Sequence, residues 1–286
     1  MTNKKTTRSA LIWHQFKKNR GAMVGLAVLA IVILAALASG FIWDFDTDII
    51  GMNAADRLQK PSLAHPFGTD NMGRDLLARV CYGARYSLVI GLLAVLISFV
   101  LGVLIGSLAG YFGGKFDYWV MRAVELFMMI PGIMLVIVFI AALGINMENL
   151  IISIGLSTVP QITRTMRASA MQIRNSEYVE AARAVGCSNF KIIVTHIIPN
   201  AINSSFVYAT VRFGSCITDA AAFSFLGLGV PAPLPEWGAL LSDGRLYMRD
   251  FPHLILFPGL AIMITVLAAN LIGDGLRDAL DPKMKR

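Results

Sequence analysis

Charge is what this chain has least of. Only 15% of its 286 residues are Asp, Glu, Lys or Arg, while 56% are apolar, and the mean hydropathy is +0.65. Soluble domains carry roughly 25% charged and 45–50% apolar residues. Composition therefore places the chain in a membrane. Cysteine is scarce as well. Cys81, Cys187 and Cys216 are odd in number and far apart, with no metal or redox spacing, and read as three unpaired thiols. The four histidines, His14, His65, His196 and His253, are scattered. No phosphate-binding loop occurs: Gly114-Lys115 is followed by Phe116 and lacks the earlier glycine. Neither HExxH nor GxSxG is present. These absences argue against nucleotide hydrolysis or covalent catalysis, so the chain reads as no enzyme and as having no cofactor of its own. Active transport would have to borrow its energy.

What the chain has instead is long apolar runs. About 20 such residues cross a bilayer as a helix. Residues 21–43, 86–114, 126–147 and 251–273 contain no charge. Two further candidates are Asn149 to Thr163, short and holding Pro160, and Ala201 to Leu228, interrupted by Arg212 and Asp219. The expectation is an all-α polytopic membrane protein with six transmembrane helices.

The surplus of basic residues, net +7, has the placement a membrane protein needs and is not a nucleic-acid signal. The first 21 residues carry Lys4, Lys5, Arg8, Lys17, Lys18 and Arg20 and no acid, which puts that end in the cytoplasm. Asp44 to Ala84 then lies outside, Arg164 to Pro199 inside, Val230 to Asp250 outside, and the tail from Arg277 to Arg286 inside. Both termini are cytoplasmic in this reading. Ala36-Leu37-Ala38 resembles a signal cleavage site, but the apolar run continues to Trp43, so the first span is retained.

Local features add detail. The basic leader, with Trp13 and Phe16, reads as an amphipathic helix on the inner membrane surface. In the first external segment, HPFGTDNMGRD places Gly68, Asp70, Arg74 and Asp75 in tight turns, a structural frame rather than a metal loop. Gly102, Gly106 and Gly110 form a small-xxx-small face for close helix packing. Pro131-Gly132 predicts a kink in the third span. Arg212 and Asp219 lie seven apart on one face of the fifth span. Ionisable groups there are costly, and they are read as lining a translocation pathway. Pro231, Pro233 and Pro235 lead into Glu236-Trp237-Gly238, read as an external re-entrant loop with Trp237 in the interfacial belt. Gly273 and Gly275 are expected to end or loosen the last helix.

The most distinctive stretch is EYVEAARAVGCSNFKIIVTHIIPN, from Glu177 to Asn200. Asn175 or Ser176 can cap a first helix, Gly186 suits its left-handed end, and Ser188 can cap a second helix running to Pro199. Glu180, Ala181, Ala182, Gly186 and Pro199 resemble in type and spacing the cytoplasmic EAA motif of prokaryotic ABC importer permeases. His196 stands where that motif has Ile, and Ile198 where it has Leu. YGARYSL, AGYFGGKFD, MRAVELFMMIP, SFLGLGV, PEWGALLSDGR, FPGLAI and GDGLRDALDP are similar, in the same order, to the C-type subunit of the peptide/nickel branch.

That resemblance implies a type I, MetI-like permease core with an extra N-terminal helix, in a bacterial inner membrane. Residues 1–84 would be the leader, first span and external loop, 85–275 the five-helix core with coupling helices at 176–199, and 276–286 a cytoplasmic tail. It implies a homologous B-type permease, two ATPase subunits that bind ATP and Mg, and an extracytoplasmic solute-binding protein as partners. Glu180, Ala181, Ala182, Gly186 and Pro199 would couple to an ATPase. The implied cargo is a di- or oligopeptide, with nickel or another small solute such as glutathione as alternatives. An ATP-independent secondary transporter is the reading outside this class; it would show inverted repeats, and none is detected.

Overall fold

A computed structural model describes residues 8–280, almost entirely as helix. The expectations for Lys4 and Lys5 and for the tail residues 281–286 lie outside the described residues. The elements are α1 (Arg8–Lys18), α2 (Arg20–Ile42), α3 (Leu76–Phe112), α4 (Gly114–Met129), α5 (Gly132–Leu143), α6 (Met147–Arg174), α7 (Glu177–Ala184), α8 (Asn189–Ile192), α9 (Ile198–Phe225), α10 (Trp237–Gly244) and α11 (His253–Leu280).

Among the described residues, four helices are long and apolar enough to cross a membrane: α2, α3, the continuous Asn189–Phe225 helix and α11. A bent pair, α4 with α5, makes a fifth candidate. Its bend is 92°, far sharper than the kink expected from Pro131-Gly132. Pro131 has no N–H to donate back into α4 and its ring excludes a continuing helix, so the chain restarts with Pro131 at the head of α5. The expected short fourth span is instead the 28-residue α6, with Pro160 accommodated inside it. It is long enough to cross a bilayer, but Ser153, Ser157, Thr158, Gln161 and Thr165 make one side of it polar.

The centre of the fold is α3 against α6. A methyl group at Gly102 would meet Ile162 at 2.6 Å, one at Gly106 the Thr163 carbonyl oxygen at 2.5 Å, and one at Gly110 Ala170 Cβ at 2.7 Å. Three turns of glycine thus let α6 lie directly on the α3 backbone, the close approach that small residues permit in membranes. The rest of the bundle assembles on this pair, with α9 packed against both and α2 against α3 and α11.

Gly273 and Gly275 do not end α11, which runs on to Leu280. Their bare backbones are contact points: a Cβ at Gly273 would meet Val211 at 2.7 Å, and one at Gly275 would overlap Ala22. Phe16 of α1 is buried with Ala22 and Ala279, and Asn19 Nδ2 donates to Asp278 at 3.1 Å. The two ends of the described chain are therefore joined. Of the expected segment boundaries, 84/85 falls inside α3 and 275/276 inside α11.

Replacing Gly106 by Leu is expected to destabilise the protein by about 1–3 kcal/mol through overpacking. Gly259→Ala, where the nearest atom is 4.0 Å away, is expected to be neutral. Thermal unfolding of the two detergent-solubilised variants checks this.

Candidate functional site

The first candidate site is the short helix pair after α6. Glu177 and Glu180 sit in the first turn of α7, where the helix dipole favours anions. Ser176 holds the N-cap position, yet its hydroxyl donates to the Ile173 carbonyl at 2.7 Å and does not cap α7. The far end is a full Schellman motif. Gly186 N–H bonds to the Arg183 carbonyl and Cys187 N–H to the Ala182 carbonyl, both at 3.0 Å. Gly186 has φ +81°, and no heavy atom lies within 4 Å of where its Cβ would be. Backbone conformation, not space, therefore demands glycine there.

Ser188 caps α8 through the Lys191 N–H at 3.4 Å. The second helix does not stop at Pro199 as expected. A π-helical turn, Ile193–Ile197, joins α8 to α9, and Pro199 occupies the first turn of α9. A widened turn already leaves backbone donors without their usual partners, so a residue without an N–H is tolerated at that point.

The pair has two faces. Val179 and Ala182 are buried with Ile192, Ile193, Ile197 and Tyr111. Ala182 thus packs inside this chain and is not available for close approach by a partner. Tyr111 OH donates to Asn189 Oδ1 at 2.8 Å, and the Arg183 guanidinium stacks 5.0 Å over the Tyr111 ring. The other face carries Tyr178, Glu180, Ala181 and Val194 in the open, with Val185 79% and Phe190 77% exposed. An apolar face this bare, with a carboxylate beside it, is suited to docking.

The second candidate site is a half-open cavity of about 370 Å³ bordered by α5, α6 and α9. Arg212 and Asp219 of α9 both line it. Arg212 Nη2 donates to Asp219 Oδ2 and to Thr158 Oγ1 of α6, each at 3.2 Å. Sequence reasoning found the two charges but missed the polar wall made by Ser157, Thr158, Gln161 and Tyr208. The signal was present as Ser157, Thr158 and Gln161 at helical spacing in a membrane segment. Gly132 and Val136, just beyond the break between α4 and α5, close another side. Tyr208 also lines a larger cavity of about 580 Å³, which reaches Asp274 and Arg277 near the end of α11.

The residues expected on the outer side form a frame, and it does not hold the expected interfacial tryptophan. Asp70 Oδ1 accepts from the Met72 and Arg74 backbone N–H groups, and Oδ2 pairs with Arg74 Nε at 2.7 Å and with Arg79. Asp75 caps α3 through the Ala78 N–H at 2.9 Å and binds His65 Nδ1 at 2.8 Å. Gly68 has φ +78°, and a Cβ there would meet the Gln59 carbonyl oxygen at 2.5 Å. Trp237 is 1% exposed. Its Nε1 donates to the Val80 carbonyl at 2.9 Å, so it sits in the core and not in an aromatic belt. Glu236 beside it is also buried, accepting from Ser87 Oγ at 3.1 Å and from the Ala239 N–H at 3.0 Å. A Glu–Trp pair after three prolines has the pattern of a surface turn, which is why its burial was missed.

A helical membrane bundle with a broken span, a polar cavity and an exposed helix pair defines a permease core. The model of the binding-protein-dependent transport system inner membrane component family matches residues 102–286. The N-terminal transmembrane domain of oligopeptide transport permease C matches residues 7–61. The chain is 44% identical, over 96% of its length and 89% of the relative, to the dipeptide transport system permease protein DppC of Alkalihalophilus pseudofirmus. It is 41% identical, over 96% of its length and 90% of the relative, to the glutathione transport system permease protein GsiD of Escherichia coli. Among solved structures it resembles a chain of the inward-facing MetNI methionine ABC transporter. There the TM-score is 0.57 at 20% identity, covering 71% of this chain and 97% of that one. The chain belongs to the inner-membrane components of binding-protein-dependent transport systems, as a peptide-type ABC permease of the C kind.

Gly186→Val is expected to place a β-branched residue in the left-handed region, a strain of about 1–2 kcal/mol, with no new clash. The membrane bundle is expected to stay folded while α7 and α8 lose their mutual angle. Limited proteolysis confined to residues 177–200, at an unchanged melting temperature, checks this.

Proposed function

We propose that this chain forms half of the translocation pathway of an ATP-driven importer of di- and oligopeptides. The observation that carries the substrate reading is the 44% identity to a dipeptide permease over nearly the whole chain. The 41% identity to a glutathione permease favours a second reading, glutathione, which is itself a short peptide. The other half of the pathway comes from a homologous B-type permease. Two ATPase subunits bind ATP and Mg in the cytoplasm, and an extracytoplasmic solute-binding protein delivers the cargo to the external loops.

Six spans cross the inner membrane: α2, α3, the broken α4–α5 unit, α6, α9 and α11. The charge distribution supports placing both termini in the cytoplasm. In that topology α7 and α8 face the cytoplasm, and Asp70, Arg74, Asp75 and α10 face outward.

The exposed face of α7 and α8 docks in a groove of one ATPase. Val185 and Phe190 supply the apolar contact, Ala181 permits close approach, and Glu180 offers a charge at the edge. Gly186 and its Schellman motif hold the angle between the two helices. The joined helix Asn189–Phe225 contains no break at Pro199, so motion at α8 passes directly into α9. Arg212 and Asp219 are carried by that helix. Closure of the ATPases on ATP therefore reshapes the wall of the cavity that the cargo crosses.

The test is uptake by the complex reconstituted with its B-type permease, ATPases and binding protein. Labelled dialanine, glutathione and a nickel chelate are compared, with and without internal ATP. ATP-dependent uptake of dialanine, unaffected by dissipating ion gradients, is the expected result. Uptake driven by a proton or sodium gradient without ATP would overturn the importer reading, and uptake of the nickel chelate alone would overturn the peptide reading.

A further inference from the structure

The cavity between α5, α6 and α9 holds two charges of opposite sign and, among the described residues, no others in its lining. A structural ion pair would use its donors and acceptors fully. This one does not. Arg212 Nη2 serves both Asp219 and Thr158, while Arg212 Nε has no partner. Among the described residues, Asp219 accepts only this one hydrogen bond from a side chain. At 3.2 Å, the contact is also longer than the usual spacing of about 2.7–2.9 Å for charge-assisted pairs. The pair is open, partly exposed to the cavity, and held at one point.

We propose that Arg212 and Asp219 read the two charged ends of a zwitterionic peptide: Arg212 takes the carboxylate, Asp219 takes the ammonium, and they pair with each other when no peptide is present. The inference rests on the peptide reading above and deepens it.

The geometry suits this. Seven residues of helix separate the two Cα atoms by about 10.5 Å along the axis. A dipeptide spans about 7 Å. A dipeptide therefore lies between the two side-chain heads once they part, with one end on each. A guanidinium has five donors and grips a carboxylate at two points. A carboxylate accepts readily from an ammonium. The neutral groups between them, Ser157, Thr158, Gln161 and Tyr208, offer partners to the peptide's amide bond. A volume of about 370 Å³ lies within the range of roughly 300–1,000 Å³ for small-molecule sites.

The exchange is close to balanced in charge. One partly exposed ion pair opens and two form, so no charge is left unpaired in the cavity. A peptide blocked at one end would strand either Arg212 or Asp219, which is the costly outcome. The site thus selects for free ends and is indifferent to side chains, as an importer of many peptides requires.

The test uses the assembled complex of permeases and ATPases in nanodiscs, without the binding protein, so that only the selectivity of the membrane part is read. Equilibrium binding of labelled dialanine, N-acetyl-dialanine and dialanine amide is measured for wild type, Asp219→Asn, Arg212→Gln and Arg212→Lys. Wild type is expected to bind dialanine at least tenfold more tightly than either blocked form. Asp219→Asn should lose the discrimination against N-acetyl-dialanine and keep that against the amide. Arg212→Gln should do the reverse, and Arg212→Lys should restore discrimination against the amide. A merely structural pair would weaken all three ligands equally in every variant, or none, and either result overturns the inference while leaving peptide transport intact. Failure of wild type to bind any of the three would overturn the peptide reading itself.

Discussion

The structure depends on the contact between α3 and α6. Gly102, Gly106 and Gly110 remove every side chain from one stripe of α3, and α6 lies against the exposed backbone. In a bilayer there is no hydrophobic force to bring two helices together, so close van der Waals contact does that work. Everything with a functional reading hangs from these two helices. The middle of α6 supplies Ser157, Thr158 and Gln161 to the cavity, and its end feeds α7. The end of α3 supplies Tyr111, which holds α7 and α8 through Arg183 and Asn189. The cavity and the α7–α8 helix pair are joined through these two packed helices.

That connection explains why a proline inside α6 and a π turn before α9 are tolerated. Neither interrupts the path from the α7–α8 helix pair to the cavity. Pro160 is buried within a continuous helix, and the π turn carries α8 into α9 without a gap. The break that does occur is at Ile130–Pro131, in the span facing the cavity from the opposite side. The bundle thus combines one stiff wall, α3 with α6 and α9, and one interrupted wall, α4 with α5. Rigid elements transmit motion between distant sites when they have two arrangements, and a broken span is where a second arrangement is least costly.

Much of this was legible from the residues. Apolar run length identified α2, α3 and α11, and glycine spacing of four identified the packing face of α3. Gly186 was legible because a left-handed helix end leaves few alternatives. The errors share one cause: they concern residues whose role is set by distant neighbours. Trp237 reads as interfacial because it follows three prolines, yet Val80 and Ser87 of α3 take its polar groups and bury it. Gly273 and Gly275 read as helix-ending, yet Val211 and Ala22 use them as contact points. Pro199 reads as a stop, yet the π turn ahead of it removes the conflict. Ala182 reads as part of the coupling motif, yet it packs into the cluster around Ile193 and Ile197. Arg212 and Asp219 were found by charge alone, whereas Thr158, which completes the triad, is an ordinary residue in sequence.

The central claim is that the bare face of α7 and α8 is covered by an ATPase and that this contact drives the cavity. A photo-crosslinking residue, p-benzoylphenylalanine, placed at Phe190 in the assembled complex measures this most directly. The account predicts an adduct with the mass of this chain plus one ATPase subunit, with a yield that changes between nucleotide-free and ATP-bound states. No ATPase adduct, or adducts to lipid and permease alone in both states, would contradict it.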